Sequence, residues 1–169
     1  MIRTVSLMLF AGLSAAAFAA SQDCVTESRF VQKVTQPSGQ TAVITEGDCE
    51  ARSLGSYSVR LYRADPSGDD ATFYQSGLIL ERDGTIESVR LADLDGDGRD
   101  EMVVVVRSVG TGGYVAAQAF SVANNRIEAR SSVKDLPADA DPVAALTKTT
   151  KSDKVKGKGK YHDPVGGAR

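Results

Sequence analysis

Apolar and polar residues alternate along the middle of the chain with the two-residue period of β-strands. Between Tyr57 and Leu61 every second residue is apolar and the residues between them are polar, so one face of this segment suits a core and the other suits water. Further segments are rich in branched or aromatic residues, and we predict strands there as well: Thr41 to Thr45, Thr72 to Leu80, Ile86 to Leu91 and Tyr114 to Val122. No long segment has a convincing helical stripe. The pattern therefore predicts an all-β protein.

One segment, Met102 to Val106, is apolar at every position, which is typical of a strand buried on both faces. Turn segments rich in Gly, Asp, Asn and Pro separate the strands at short intervals and favour antiparallel pairing. We therefore predict a single-domain antiparallel β-sandwich with the Met102 strand near its centre, where two sheets stack face to face. After Ser131 the alternation fades, and Pro137 and Pro142 indicate a loop or a short helical turn.

Both ends of the chain are expected to lie outside this domain. Arg3, a short apolar run and small residues up to Ala19 are typical of a cleaved secretory signal peptide, which we assign to residues 1–20. The run is too short for a comfortable membrane span, so we predict an exported, periplasmic protein without stable membrane insertion. From Thr147 onward lysine alternates with glycine and apolar residues are scarce. This composition predicts a flexible tail over 147–169 and leaves 21–146 for the sandwich.

The two cysteines, Cys24 and Cys49, both follow the signal peptide. An exported chain meets an oxidising environment, so we predict a disulfide between them. A zinc site is a poor alternative, because two cysteines and the single distant histidine, His162, cannot fill a zinc shell.

The formal net charge of −2 is the sum of an acidic domain and a basic tail. An acidic domain attracts cationic partners and repels nucleic acid, so no nucleic-acid partner is expected. Catalysis is not expected either. The only histidine lies in the predicted tail, and no serine or cysteine has a base beside it.

Carboxylates cluster in the turn before the Met102 strand. Asp93, Asp95, Asp97 and Gly98 match the opening of a calcium loop, and Glu101 falls at its ninth position. The terminal glutamate of an EF-hand is missing, although the strand-flanked turn resembles the calcium loops of β-propeller repeats. Two interpretations stay open: a calcium site with Asp93, Asp95, Asp97 and Glu101 as ligands, or an Asp/Gly hairpin turn whose side chains accept backbone amides.

A glycine-rich loop follows the same strand. Gly110 to Tyr114 places the hydroxyls of Thr111 and Tyr114 around two glycines, and each hydroxyl can donate and accept hydrogen bonds. The loop has neither the lysine of a phosphate-binding loop nor a helix after it. From composition alone it is either an ordinary hairpin turn or a projecting contact loop.

Two runs carry a resemblance to a known family. GDCEARSLGSYSVRLYR and LERDGTIESVRLADLDGDGRDEMVVVVRSVGTGGYVAAQAF resemble the periplasmic inhibitors of invertebrate-type lysozyme found in Gram-negative bacteria, over roughly residues 42–120. The resemblance implies a β-sandwich, often dimeric, that inserts a Ser-Gly-x-x-Tyr loop into the lysozyme cleft. Here the motif falls on Thr111 to Tyr114, with threonine in place of serine and one residue instead of two between the glycine and the tyrosine. The predicted lysozyme-binding residues are Arg107, Ser108, Thr111, Gly112, Gly113 and Tyr114.

The resemblance favours a lysozyme inhibitor, and its chemistry is coherent. A lysozyme uses two carboxyl groups that flank the glycosidic bond, and the hydroxyls of Thr111 and Tyr114 would occupy that pair without offering a bond to cleave. The alternative function is a calcium-stabilised adhesion or scaffold module of the cell envelope, built on the acidic turn.

Overall fold

The structure, a computed structural model, describes residues 29–65, 67 and 70–158, and the side chains as far as Ser152. The predicted signal peptide, Cys24 and the last eleven residues, 159–169, lie outside the described residues. The disulfide predicted between Cys24 and Cys49 therefore stays a prediction.

Eight strands and one helix follow one another in the described part of the chain. They are β1 (Val31–Thr35), β2 (Thr41–Glu46), β3 (Leu54–Tyr62), β4 (Tyr74–Asp83), β5 (Thr85–Ala92), β6 (Glu101–Arg107), β7 (Val115–Ala123), β8 (Arg126–Leu136) and α1 (Pro142–Lys158). Strands β1 to β4 form one antiparallel sheet in chain order, and β5 to β8 form a second one in the same way. The predicted antiparallel β-sandwich is confirmed.

Strand β4 passes to β5, and so from one sheet to the other, through Gly84 alone. This residue has a φ of 121°, which L side chains rarely adopt. A Cβ there would also overlap the carbonyl oxygen of Arg107. The close approach of the corner to the end of β6 therefore requires glycine at this position.

The core has two layers, and β6 contributes to both. Met102, Val104 and Val106 face the first sheet and pack between the sheets around Phe120. Val103 and Val105, which are 0% and 1% exposed, point to the opposite side of the second sheet. The doubly buried strand is thus central, but only one of its faces packs on the other sheet.

Helix α1 covers the outer face of the second sheet. Leu146 is fully buried against Val103 and Val105, and Val143 packs beside it. The Asp141 carboxylate caps the helix by accepting the Val143 amide at 2.9 Å, and proline follows it at the first helical position, where no amide donor is needed.

The structure differs here from the expectation of a loop or short helical turn and of a flexible tail from Thr147. The helix continues to Lys158. Val143 and Leu146 are its contacts with the core, and the sequence after Leu146 is mostly threonine and lysine, so the helical period is not visible in the sequence. In the described part of the chain, no helix is long and apolar enough to cross a membrane.

Strand β8 also extends beyond the predicted fading of the pattern at Ser131. It continues to Leu136 as an edge strand on which most residues are exposed. An edge strand with so few buried positions shows little alternation between apolar and polar residues. The strand signal was therefore weak although the strand is long.

The two motifs singled out in the sequence lie at opposite ends of the sandwich. The acidic turn joins β5 to β6, whereas the glycine loop joins β6 to β7. The seven residues of β6 separate them, a distance of roughly 20 Å at the usual rise of a strand. They therefore form two separate sites.

Candidate functional site

The glycine loop, residues 108–114, is closed by hydrogen bonds within itself. At its base the Ser108 amide donates to the Tyr114 carbonyl at 2.9 Å, and at its tip the Gly113 amide donates to the Gly110 carbonyl at 3.1 Å. The Ser108 hydroxyl accepts the Gly110 amide at 3.2 Å. Ser108, predicted as a lysozyme-binding residue, therefore uses its side chain within the loop.

The tip of the loop is shaped by two glycines. Gly113 has a φ of 55°, in the left-handed region that glycine adopts without strain. The Tyr114 ring lies against Gly112, and a Cβ on Gly112 would come within 2.8 Å of the ring carbon Cδ2. The conformation of the loop therefore explains why glycine occupies both positions.

Two hydroxyls project from this tip. Thr111 is exposed, and Tyr114 keeps 54% of its surface accessible. Neither hydroxyl has a hydrogen-bond partner among the described residues. Because a hydroxyl both donates and accepts, the tip presents unused hydrogen-bonding capacity beside an aromatic ring.

Arg107, at the end of β6, makes its hydrogen bonds within the protein. Its Nε and Nη2 donate to the two carboxylate oxygens of Glu87, each at 3.0 Å. Its Nη1 donates to the carbonyls of Gly113 at 2.9 Å and Ala138 at 3.2 Å. The guanidinium therefore joins strand β5, the glycine loop and the link between β8 and α1.

Behind the loop, a buried arginine fixes the corner between the sheets. Arg82 is 3% exposed and donates to the carbonyls of Ala51, Arg52 and Ser56 at 2.9 to 3.1 Å, and also to that of Gly84. A buried guanidinium is tolerated because these acceptors satisfy its donors. Arg82 thus ties the β2–β3 loop to the corner that contacts the end of β6.

Neither Arg82 nor Glu87 was singled out from the sequence. One signal was available for Arg82. It occupies the same strand face as Leu78 and Leu80, which pack toward the core, so a charged residue there implies a buried network. Glu87 gave no such signal, because an acidic residue in a strand usually faces water.

A cavity of about 780 Å³ opens beside the tip, between the two sheets. Leu54, Leu80 and Val106 supply apolar lining, Gln118 supplies a polar group, and Tyr114 also lines the cavity. Leu54 is itself 63% exposed. Apolar surface therefore continues from the glycine loop onto the neighbouring end of the first sheet.

The acidic turn at the far end is closed by its own carboxylates. Asp93 accepts the amides of Gly96, Asp97 and Gly98 at 2.7 to 3.2 Å. These bonds, the Gly98 amide foremost, lower the pKa of Asp93 below its usual value. The turn thus has the geometry of the Asp/Gly hairpin interpretation.

Three of the four predicted calcium ligands also come together there. Carboxylate oxygens of Asp93, Asp95 and Glu101 lie within 4.8 Å of one another, and Asp97 is not in the group. Partial burial, followed by the charges of the nearby aspartates, raises the pKa of Glu101. Calcium binding at this cluster stays a prediction.

Comparisons with known proteins show the family to which the chain belongs. Residues 28–150 match the family described as periplasmic lysozyme inhibitor of I-type lysozyme. The crystal structure of the inhibitor PliI-Ah from Aeromonas hydrophila is 37% identical, with a TM-score of 0.66 over 69% of this chain and 98% of that one. The same inhibitor in complex with the lysozyme of Meretrix lusoria is 38% identical, with a TM-score of 0.65 over 69% of this chain and 94% of that one. Curated proteins gave no match.

These matches place the chain in a class of β-sandwich inhibitor proteins. It belongs to the family of periplasmic inhibitors of I-type lysozyme, as the resemblance implied. The family description also confirms the predicted periplasmic location.

Proposed function

We propose that this protein inhibits an invertebrate-type lysozyme by inserting the tip of the glycine loop, Thr111 to Tyr114, into the active-site cleft. The observation that carries the proposal is the pair of unpartnered hydroxyls on a loop closed by hydrogen bonds between its own residues. Such a loop loses little conformational entropy on binding. The complex of the Aeromonas hydrophila inhibitor with a lysozyme supports a partner of this class.

The proposed mechanism follows from the chemistry of the cleft. A glycosidase holds one protonated and one ionised carboxyl group on either side of the scissile bond. A hydroxyl can accept from the first and donate to the second, so Thr111 and Tyr114 suit both. The loop contains no glycosidic bond, and the enzyme therefore stays occupied without turnover. The Tyr114 ring adds aromatic contact area with few rotatable bonds, as is usual for an interface anchor.

Charge supports the encounter between the two proteins. The domain is acidic, so it would attract a cationic lysozyme over distances of about a Debye length, roughly 8–10 Å at physiological salt. We expect the association rate to fall as salt rises. The homodimer implied by the family resemblance stays a prediction.

The mature protein should be incubated with lysozymes of the three animal classes while the lysis of bacterial cells is followed. We expect inhibition of the invertebrate-type enzyme and its loss in Tyr114→Ala. Tyr74→Ala is the matched control, because Tyr74 is 60% exposed and lies at the opposite end of the sandwich. Unchanged lysis with every class at micromolar protein would refute the inhibitor function, and full inhibition by Tyr114→Ala would refute the loop mechanism.

The second candidate is a calcium-stabilised envelope module. The observation that favours it is the convergence of Asp93, Asp95 and Glu101, since hard cations prefer oxygen ligands. Isothermal calorimetry with millimolar calcium tests it directly. Because the acidic turn lies at the far end from the glycine loop, calcium binding and lysozyme inhibition do not exclude each other.

A further inference from the structure

Arg107 was expected to bind the lysozyme, but the structure commits its donors elsewhere. A guanidinium carries five N–H groups. Nε and Nη2 each bond Glu87, and Nη1 bonds two carbonyls, Gly113 and Ala138. These bonds use four of the five donors. Without displacing the bidentate ion pair with Glu87, a lysozyme carboxylate could therefore reach only the remaining N–H of Nη2.

The bond to Gly113 acts on the conformation of the loop. Gly113 has a positive φ and immediately precedes Tyr114, so its peptide orientation sets the direction in which the Tyr114 side chain leaves the backbone. Nη1 holds the carbonyl of this peptide at 2.9 Å. On the other side, the amide of Gly113 is bonded to Gly110. Both polar groups of the residue that aims the tyrosine are thus fixed.

Glu87 in turn fixes the guanidinium. The carboxylate engages Nε and Nη2 in a bidentate, planar arrangement, which adds directional specificity to the ion pair. Glu87 lies on β5 and Arg107 at the end of β6, and their strands are paired. The pair therefore holds the third nitrogen, Nη1, pointing toward the loop.

We propose that Glu87 and Arg107 form a positioning pair that holds the Gly113 carbonyl and so presents Tyr114 to the lysozyme, while neither residue contacts the enzyme. This inference rests on the proposed function. It assigns a role to Glu87 and changes the role of Arg107 from a contact residue to a positioning residue.

A positioning pair and a contact residue have different kinetic signatures. When positioning is lost, only a fraction of molecules presents the loop correctly, and the association rate falls by that fraction while dissociation of the formed complex changes little. When a direct contact is lost, the dissociation rate rises instead. Binding kinetics therefore separate the two roles.

The test compares Glu87→Gln with Glu128→Gln in binding to an invertebrate-type lysozyme. Glu128 is 48% exposed in an ion pair with Arg130, and it lies at the other end of β8 from the loop. Both variants remove one negative charge, but the charge of Glu87 lies nearer the loop and acts more strongly on an approaching enzyme. The rates are therefore compared at high salt, where this attraction is screened. We expect Glu87→Gln to lower the association rate roughly threefold to tenfold, with an unchanged dissociation rate and unchanged stability to urea. Equal rates in the two variants, or an effect confined to dissociation, would overturn the proposal.

Hydrogen exchange provides a readout that needs no lysozyme. We expect the amide of Gly113 to exchange faster in Glu87→Gln and Arg107→Lys than in the wild type or Glu128→Gln, because the loop loses its restraint. If exchange does not change, the positioning role is wrong whatever the kinetics show. If the wild type binds no lysozyme yet exchange accelerates as expected, the proposed function fails while the restraint of the loop stands.

Discussion

The ring of Tyr114 lies directly against the backbone of Gly112, two residues before it. A Cβ at Gly112 would come within 2.8 Å of Cδ2 and 3.0 Å of Cζ of the ring, closer than nonbonded carbon atoms normally approach. The absence of a side chain at Gly112 therefore defines where the ring rests. The glycine of the family motif shapes the tyrosine as well as the backbone.

Gly112→Ala should weaken inhibition strongly while leaving the fold intact. The added methyl group forces the exposed ring to move, and a side chain at the surface can move at little cost to stability. Inhibition constants and urea unfolding should be measured on the same preparation. Gly110→Ala is the comparison, because its Cβ would meet only the Ser108 hydroxyl at 3.5 Å, an ordinary contact. Similar inhibition by the two variants would contradict this explanation.

Two substitutions separate the contributions of the hydroxyl and the methyl group of Thr111. Thr111→Val removes the hydroxyl and keeps the shape, and we expect it to weaken inhibition about tenfold, which corresponds to one hydrogen bond of roughly 1.4 kcal/mol. Thr111→Ser removes only the methyl group and restores the serine of the family motif, so it should inhibit at least as well as the wild type. Inhibition constants of both variants against the same lysozyme show which group of Thr111 carries the contact. A stronger loss in the serine variant would show that the methyl group, and not the hydroxyl, carries the contact.

The apolar run from Met102 to Val106 also implied a covering layer that we did not predict from the sequence. It indicated a strand buried on both faces, and that prediction is confirmed. A sandwich, however, covers only one face of each sheet. A second layer was therefore required on the other face of β6, and helix α1 supplies it through Leu146. The helix was missed because its apolar contacts are few and its sequence is dominated by threonine and lysine.

Removing the contact that α1 makes with the second sheet should destabilise the domain. Leu146→Ala deletes a fully buried side chain, and such changes typically cost about 2–5 kcal/mol. Lys148→Ala, on the exposed side of the same helix, should change the free energy of unfolding by less than about 0.5 kcal/mol. Urea denaturation of both variants measures the difference. Equal stability of the two would mean that the helix is not an integral part of the fold.

The candidate site likewise contains residues that the sequence predicted and contacts that it did not predict. Thr111 and Tyr114 were predicted from the motif, because exposed side chains in a loop need no knowledge of the tertiary structure. The partners of Arg107 were beyond sequence reasoning. Glu87 and Ala138 are 20 and 31 positions away, and their meeting depends on strand register and on a helix that the pattern concealed.

Calcium, if it binds the acidic turn, should raise the free energy of unfolding, because a ligand that binds only the folded state stabilises it. Burial raises the pKa of Glu101, so without calcium its ionisation disfavours the folded state. Stability from this group is present at low pH and is lost as the pH rises through the raised pKa. Glu101→Gln should therefore weaken this loss and abolish any response to calcium. Thermal unfolding with and without millimolar calcium, at several pH values, provides the measurement. No shift in the wild type would leave the turn as an Asp/Gly hairpin.

The stability that Glu50 contributes should depend on pH in the opposite sense to that of Glu101. Its carboxylate accepts the Ser56 hydroxyl at 2.7 Å and the Ser56 amide, and lies 3.7 Å from Arg82. The hydrogen bond from the Ser56 amide is the main cause that lowers the pKa of Glu50 below its usual value. A group whose pKa falls on folding contributes stability above its unfolded pKa and loses it as the pH drops through the folded value. Glu50→Gln should thus be most destabilising at neutral pH and should approach the wild type in acid. Urea unfolding at pH 7 and at successively lower pH tests this, and a constant difference between the two proteins would mean that Glu50 acts through packing rather than charge.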